Sequence, residues 1–480
     1  MIKFYAFQLA NTISSKISIA MSNNTKKYVS SKQLLALLVG MTSVILFLGF
    51  EGIAVTAIMP EVTRDLKAVT YYPLAAGMSM AVQIFSTALS GIWCDSKGPK
   101  KVIIVGTTIF TFGLILSGIA SEIVLFIIGR AVQGLGAGML IVPFYVIVGS
   151  VVEPTKRPMF FVVFSAAWII PAIIGPYGAS IINKYYGWRM VFLAIPPFVI
   201  LAMLLLVPML IMLKPKNLPI TPKAKKVLLG ALGGGFFIAL SQIAAVLPTN
   251  QMVPAVLLCI ILATFSIRFV LPEGTFSLRE GISSIIAVRG LTLGIVIGSE
   301  TLIPLILVIG RGWDVETVAF LVSIGSIGWF LGSFIQGRIK DKNSRKKLIP
   351  IGGIITIFGT VLSIIGMFDS INFIVLLSGW ALSSLGTGLI VSTCSVLALE
   401  VTPEENHGDI SSALQVGDSY GSALLLALIG VLYTPLSSSA HPWPYLPSGF
   451  LMFIVALIGF YAAWKTYTFT TKYYEENNLV

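Results

Sequence analysis

Charge is what this 480-residue chain has least of. Only 11% of its residues are Asp, Glu, Lys or Arg, against about 25% in an ordinary soluble domain. Hydrophobic residues make up 56% and the mean hydropathy is +0.93, which excludes a soluble globular fold and implies an integral membrane protein. Histidine is limited to His407 and His441, and the three cysteines, Cys94, Cys259 and Cys394, are scattered with no CxxC spacing. That pattern argues against disulfides, structural zinc and haem, so no metal is expected and the cysteines read as small packing residues. There is no glycine-rich phosphate loop, which argues against an ATP-driven pump. No Ser, Cys or His constellation suggests hydrolysis, so no catalytic residue, enzyme activity or cofactor is assigned. The net charge of +12 is spread over short loops between apolar runs rather than gathered in one patch. It signals topology, not nucleic-acid binding.

Long apolar runs are abundant. A bilayer-spanning helix needs about 20 apolar residues, and fourteen candidate runs are present. Six lie near 33–59, 71–93, 102–121, 123–150, 158–182 and 189–213. Two follow near 226–247 and 253–271. Six more lie near 282–309, 316–338, 348–367, 371–399, 408–433 and 447–467. The expected organisation is a cytoplasmic N-terminal segment (1–32), an N-terminal six-helix bundle (33–213) and a linker with two extra helices (214–281). A C-terminal six-helix bundle (282–467) and a cytoplasmic tail (468–480) follow. The first segment has lysines but no long apolar core, so it does not read as a signal peptide. Met21 offers an alternative start.

The positive-inside rule supports this count. With the N-terminus inside, the inner loops hold Lys97, Lys100 and Lys101, then Lys156 and Arg157, then Lys214, Lys216, Lys223, Lys225 and Lys226. Arg268, Arg279 and Arg289 come next, followed by Arg338 to Lys347. The outer loops hold few, and Arg130 alone is left at membrane depth. Both termini are therefore expected in the cytoplasm. Dropping both middle runs would keep the parity, which makes that pair the least secure.

Two stretches carry the plan of the chain. Gly91 to Lys101 (GIWCDSKGPKK) and Gly337 to Lys347 (GRIKDKNSRKK) each place an acid, Asp95 or Asp341, four residues after a glycine and close on paired lysines. They are 246 residues apart (337−91), the scale of an internal duplication in a transporter. The repeat extends further. Leu135-Gly136-Ala137-Gly138 returns as Leu385-Gly386-Thr387-Gly388, and Glu51 precedes Asp95 much as Glu300 precedes Asp341.

These stretches resemble the major facilitator superfamily, specifically its fourteen-span drug/proton antiporters. The resemblance rests on Gly91, Asp95, Gly98, Lys100 and Lys101 in the first loop, with Ser96 and Pro99 where arginines are usual. Arg130, Gln133 and Gly134 in the fourth run match a second signature. Gly175-Pro176 in the fifth resembles the antiporter Gly-Pro motif, although Pro171 and Ala179 stand where glycines are expected. Gly187 to Pro197 resembles a Trp-Arg stretch of fourteen-span members. The resemblance implies an all-α membrane fold of two six-helix bundles around a midplane cavity, with two additional central helices and alternating access. It also implies that Asp95 and its loop latch one conformation, with Asp341 as the echo, and that Gly175 and Pro176 shape a hinge. Asp95 ends a helix whose C-terminus is already partly negative, so an unpaired carboxylate there is unfavourable.

Ionisable groups inside apolar runs are costly, at least about 2.5–3.5 kcal/mol at a helix centre unless paired or hydrated. The chain has Glu51, Arg130, Glu300 and Asp418 in such places. A carboxyl there responds to desolvation, to a nearby arginine and to an arriving cation, which is the coupling that exchange of protons for substrate needs. The expected roles are proton or substrate charge for Glu51, Glu300 and Asp418, and tuning of a carboxylate by Arg130. Phe50, Tyr145, Trp168, Tyr177, Trp329, Trp380 and Tyr420 could line a cavity or face lipid. The expected function is proton-driven efflux of a small lipophilic or cationic compound, by a monomer in the plasma membrane, with protons and the lipid bilayer as partners. Uptake, or export of an endogenous metabolite, is the alternative. A membrane-embedded sensor or enzyme is a more distant one.

Overall fold

The computed structural model describes residues 31–153, 157–213, 217–245, 247–339, 341–403, 407–436 and 441–477. The predicted N-terminal segment falls outside them through residue 30, as do Lys156, Lys214 and Lys216. The described residues are helical, with no strand among them. The first half holds α1 (Ser31–Asp65), α2 (Tyr72–Lys97), α3 (Pro99–Gly118), α4 (Ile123–Gly138), α5 (Ile141–Val151), α6 (Arg157–Tyr186), α7 (Trp188–Leu193) and α8 (Ile195–Met212). A central pair follows, α9 (Pro222–Ala244) and α10 (Thr249–Ile267). The second half holds α11 (Ile282–Pro304), α12 (Val315–Arg338), α13 (Lys342–Ile365), α14 (Phe373–Glu400), α15 (His407–Tyr433) and α16 (Leu446–Glu476).

Thirteen stretches among the described residues are long and apolar enough to cross a membrane. The fifth predicted run, which is not among them, is the 30-residue helix α6, so the count of fourteen is consistent with the structure. Both runs of the central pair are present. The fourth run is broken between α4 and α5, and the sixth between α7 and α8. The expected tail from 468 continues α16 as far as Glu476. It stays helical because it is anchored: Tyr474 is buried and donates to Glu400 at 2.6 Å, and Lys472 donates to Glu280 at 3.0 Å.

The internal repeat is a repeat of packing. A Cβ on Gly136 would lie 2.2 Å from the Phe110 nitrogen of α3, and one on Gly386 would lie 2.4 Å from the Gly352 oxygen of α13. Gly138 meets Ser86 of α2 in the same way that Gly388 meets the Trp329 backbone of α12. Small residues allow this backbone approach, and dispersion between close-packed helices then replaces the hydrophobic effect that lipid does not supply. The sequence motif therefore marks the same three-helix contact in each half.

Charged residues divide the molecule into two ends. The basic end carries Lys97, Lys100, Lys101, Lys225, Lys226, Arg345, Lys346 and Lys347; the far end carries Asp65, Arg189, Lys184, Glu316 and Arg311. At the far end the halves are joined. Lys184 and Glu316 form an ion pair at 2.5 Å, the Tyr72 hydroxyl donates to the Thr301 carbonyl at 2.9 Å, and Tyr177 meets Phe320 edge to face. One apolar cluster runs from Leu37, Ile45 and Val62 through Phe126 to Leu302, Val318, Trp380 and Leu425.

The central pair is more than a linker. Gly77 of α2 packs against the Gln242 side chain of α9, and a Cβ on Gly235 would lie 2.9 Å from the Ala81 oxygen. On the other side Thr264 of α10 shares a 2.6 Å hydrogen bond with Tyr420 of α15. Gly230, Gly233 and Gly234 let α9 close on Ser266 and Ile267 of α10. The pair therefore lies over the junction of α2 with α15, one of the contacts between the two halves.

Candidate functional site in the membrane-spanning helices

Two of the expected charged residues meet. Glu51, 3% exposed on α1, forms an ion pair with Arg130 of α4. Arg130 also donates to Gln133 Oε1 at 3.2 Å and to the Ala75 carbonyl of α2 at 3.4 Å, while Ser117 of α3 donates to Gln133 at 3.1 Å. The guanidinium thus ties together α1, α2 and α4. Its planar set of donors suits it to hold a buried carboxylate and further acceptors at once. Arg130 lies seven residues into α4 from Ile123 (130−123), about 10 Å from the far end at 1.5 Å per residue.

Asp418 has a partner that the sequence reading misplaced. Arg289, expected in a loop at the basic end, is instead inside α11. Its Nε donates to both Asp418 oxygens at 3.0 Å, its Nη2 to Oδ2 at 2.7 Å, and its Nη1 to Ser395 of α14 at 2.5 Å. The two side chains are only 11% and 13% exposed. The correction has a physical cause: α11 begins at Ile282, and an arginine seven residues inside (289−282) is tolerated because Asp418 neutralises it. Arg289 lies about 10 Å from the basic end, so the two ion pairs sit at opposite depths. Tyr145 of the first half lies within Coulombic reach of Arg289.

Glu300 is different. It lies on α11, partly buried, eighteen residues beyond Ile282 (300−282). No hydrogen-bond or ion-pair partner of Glu300 is found among the described residues, and no charged group acts on it at close range.

The two loop motifs diverge. Asp95 is exposed near the end of α2, and Gly98, with φ +86°, turns the chain into Pro99 at the start of α3. Lys97 donates to Asn217 at 2.5 Å and the Leu218 amide donates to the Ser96 carbonyl at 2.9 Å, so the segment after α8 is laced to this loop. Gly91 lies near Ser412 of α15, bringing the end of α2 against the second half. Lys100 is half-buried and Lys101 exposed. Asp341 instead caps α13 by accepting from the Ser344 amide at 2.7 Å, and hydrogen bonding from the Ser344 side chain and then from this amide holds its carboxyl below the usual range. Arg345, which follows it, pairs with Glu400 inside the second half. Gly175 and Pro176 are both buried in α6, whose helix continues through them. Of the aromatic residues, Trp380 and Tyr420 are buried, Trp168 and Tyr177 are exposed, and Phe50, Tyr145 and Trp329 are intermediate.

The profile of the Major Facilitator Superfamily matches residues 39–342 and again 290–476. The chain belongs to the Major Facilitator Superfamily. It is a multi-pass membrane transporter and not an enzyme. It is 28% identical over 173 residues to Multidrug resistance protein 3 of Bacillus subtilis, a match covering 36% of this chain and only 33% of that protein. It is 24% identical over 406 residues to a triacylglyceride transporter of Mycolicibacterium hassiacum, covering 78% and 75% of the two chains. Against the Multidrug resistance protein B homolog of Mycobacterium tuberculosis it is 23% identical over 389 residues, covering 77% and 70%. The fold is that of a bacterial homolog of the human lysosomal transporter Spinster, solved inward-facing and occupied. The TM-score is 0.61 at 13% identity, covering 92% of this chain and 98% of that one. Among the described residues, the two buried ion pairs and Glu300 place ionisable groups well inside the spans.

Proposed function

We propose that the protein exports small lipophilic or cationic compounds in exchange for protons, by alternating access, as a monomer in the plasma membrane. The basic end and both termini are assigned to the cytoplasm by the positive-inside rule. The observation that carries this reading is the set of carboxyls inside the spans, Glu51, Glu300 and Asp418, two of them held by buried arginines. Such groups are expensive in lipid and are retained where charge is moved. Asp95 with Gly91, Gly98, Lys100 and Lys101 is assigned to the latch between halves, Asp341 to its structural echo, and Gly175-Pro176 to hinge geometry. The relatives named for multidrug resistance favour efflux of foreign compounds.

A second reading has its own support. The relative named a triacylglyceride transporter aligns over 78% of this chain, which favours export of an endogenous lipophilic metabolite. Proteoliposomes containing an internal pH indicator decide between them when challenged with a panel of cationic dyes and neutral lipids. Substrate-driven proton movement with the dyes supports drug/proton exchange. Transport without any proton movement overturns the coupling.

A further inference from the structure

The repeat aligns the buried group around Glu51 with an altered copy. Glu51 corresponds to Glu300 (300−51 = 249), Arg130 to Trp380 (380−130 = 250) and Gln133 to Ser383 (383−133 = 250). In the first half the three side chains bind one another. In the second half the cation is gone. Trp380 is fully buried, presses on Gly325 and donates its indole N–H to the Val322 carbonyl at 3.0 Å. The Ser383 hydroxyl is buried with no partner among the described residues. The arginine buried within α11 stands eleven residues earlier (300−289), about 16 Å along the axis, and is taken by Asp418.

The three carboxyls therefore differ in what they can do. Protonating Glu51 or Asp418 leaves a buried guanidinium uncompensated, a state that is strongly disfavoured. Glu300 has no arginine to strand. The titratable groups on the elements around that part of α11 are Tyr72 of α2, whose hydroxyl bonds Thr301, Tyr433 of α15 and Tyr445 just before α16, which bonds Leu305; His441, whose ring lies against Tyr445, is paired with Asp369 at the far end, and the Arg289 and Asp418 pair is closed on itself. Two states of Glu300 are then acceptable in a poorly hydrated site. In one it carries a proton; in the other it is ionised with a cation beside it.

Building on the proton-coupled reading above, we infer that Glu300 is the one in-span carboxyl that changes protonation during transport, so the cycle exchanges one proton for a substrate with a single positive charge. The proton leaves the Glu300 carboxyl for water on one side of the membrane as the substrate cation binds the carboxylate, and the reverse exchange occurs on the other side. Charge then balances without help from the two arginine pairs. A dication leaves one positive charge uncompensated in the apolar interior, and is therefore a poor substrate whose movement responds to membrane potential.

The test uses the full chain in proteoliposomes with an internal pH indicator and ion-selective detection of tetraphenylphosphonium, a monovalent lipophilic cation, beside dequalinium, a dication. The expected result is one proton moved per tetraphenylphosphonium, at a rate that an imposed potential leaves unchanged. Glu300→Gln is expected to abolish the proton movement and to slow the protein-dependent tetraphenylphosphonium flux, which then responds to the imposed potential as the dication does. Glu300→Asp should restore the ratio of one, which a purely structural role would not. A ratio of two in the parent, or Glu300→Gln that still releases protons on adding substrate, overturns the inference. If Glu300→Gln does not fold, the parent ratio and Glu300→Asp decide. Transport by the parent with no proton movement at all overturns the proton-coupled reading itself, and this inference with it.

Discussion

Arg289 grips both oxygens of Asp418 across 129 residues of sequence, binding α11 to α15 inside the second half. A buried pair of this kind is weak evidence for net stability, but breaking it from one side is costly because the surviving charge has no partner. Asp418→Asn or Arg289→Gln should each destabilise the protein by about 3–5 kcal/mol. Replacing both with apolar residues, as in Arg289→Met with Asp418→Leu, should recover most of the loss. Thermal unfolding in detergent reads the difference. A double variant as unstable as the singles would mean that the pair contributes through something other than charge balance.

Lys184 and Glu316 close the far end from opposite halves, Lys184 exposed and Glu316 partly so. Exposed pairs contribute little and are screened by salt. Lys184→Glu should therefore alter transport rate by only a few-fold at low ionic strength, and the effect should shrink in high salt. Adding Glu316→Lys should restore the parent rate. The measurement is flux at two salt concentrations, and an effect that high salt leaves intact would count against an electrostatic closure.

Gly136 and Gly386 stand where helices meet backbone to backbone, with no room for a Cβ. Gly136→Ala and Gly386→Ala should each cost about 1–3 kcal/mol, the range for overpacking a close-packed interior. Nothing lies within 4 Å of a Cβ on Gly337, so Gly337→Ala should leave the melting temperature unchanged. Size-exclusion profiles after graded heating compare the three.

Glu280, between α10 and α11, accepts from Lys472 and Lys465 of α16, and these hold its carboxyl below the ordinary carboxylate range. The folded value is the lower one, so its stabilisation is fully present above the unfolded glutamate value of about 4.3 and is lost as pH falls below it. Glu280→Gln should melt at a lower temperature than the parent at pH 7. The two melting curves should converge below about pH 4. A gap that persists in acid would assign the effect to packing.

What was legible in the sequence followed from lipid as a solvent. Apolar runs long enough to cross a bilayer, separated by basic loops, left few other arrangements for the chain, and Glu51 and Arg130 stood out because each interrupts such a run. The Gly136 and Gly386 motifs could be matched because close packing restricts the residue types allowed there. Arg289 was misread for a related reason. It lies near the start of its run, next to the Arg279 and Glu280 loop, and its partner is in another helix, where local patterning has no reach. Asp341 was equally opaque: the same spacing that places Asp95 near the end of one helix places Asp341 at the start of the next. The divergence lies in the backbone turn, which Gly98 makes with φ +86° and which has Ser344 in the corresponding place in the second copy. Tyr474 falls in the expected tail because its burial and its bond to Glu400 are contacts with another helix, which local patterning does not show.

The placement of α9 and α10 gives the molecule a front and a back in the plane of the membrane. At the back, the junction of α2 with α15 is walled by protein through Gln242, Gly235 and Thr264. At another contact between the halves, α6 and α12 leave Trp168, Ile174, Tyr177, Phe320 and Ile327 exposed. Two halves that rock about such a seam, as the proposed cycle requires, would not open evenly. In such a cycle the α9 and α10 hairpin, packed on both α2 and α15, would have to bend or slide with the movement.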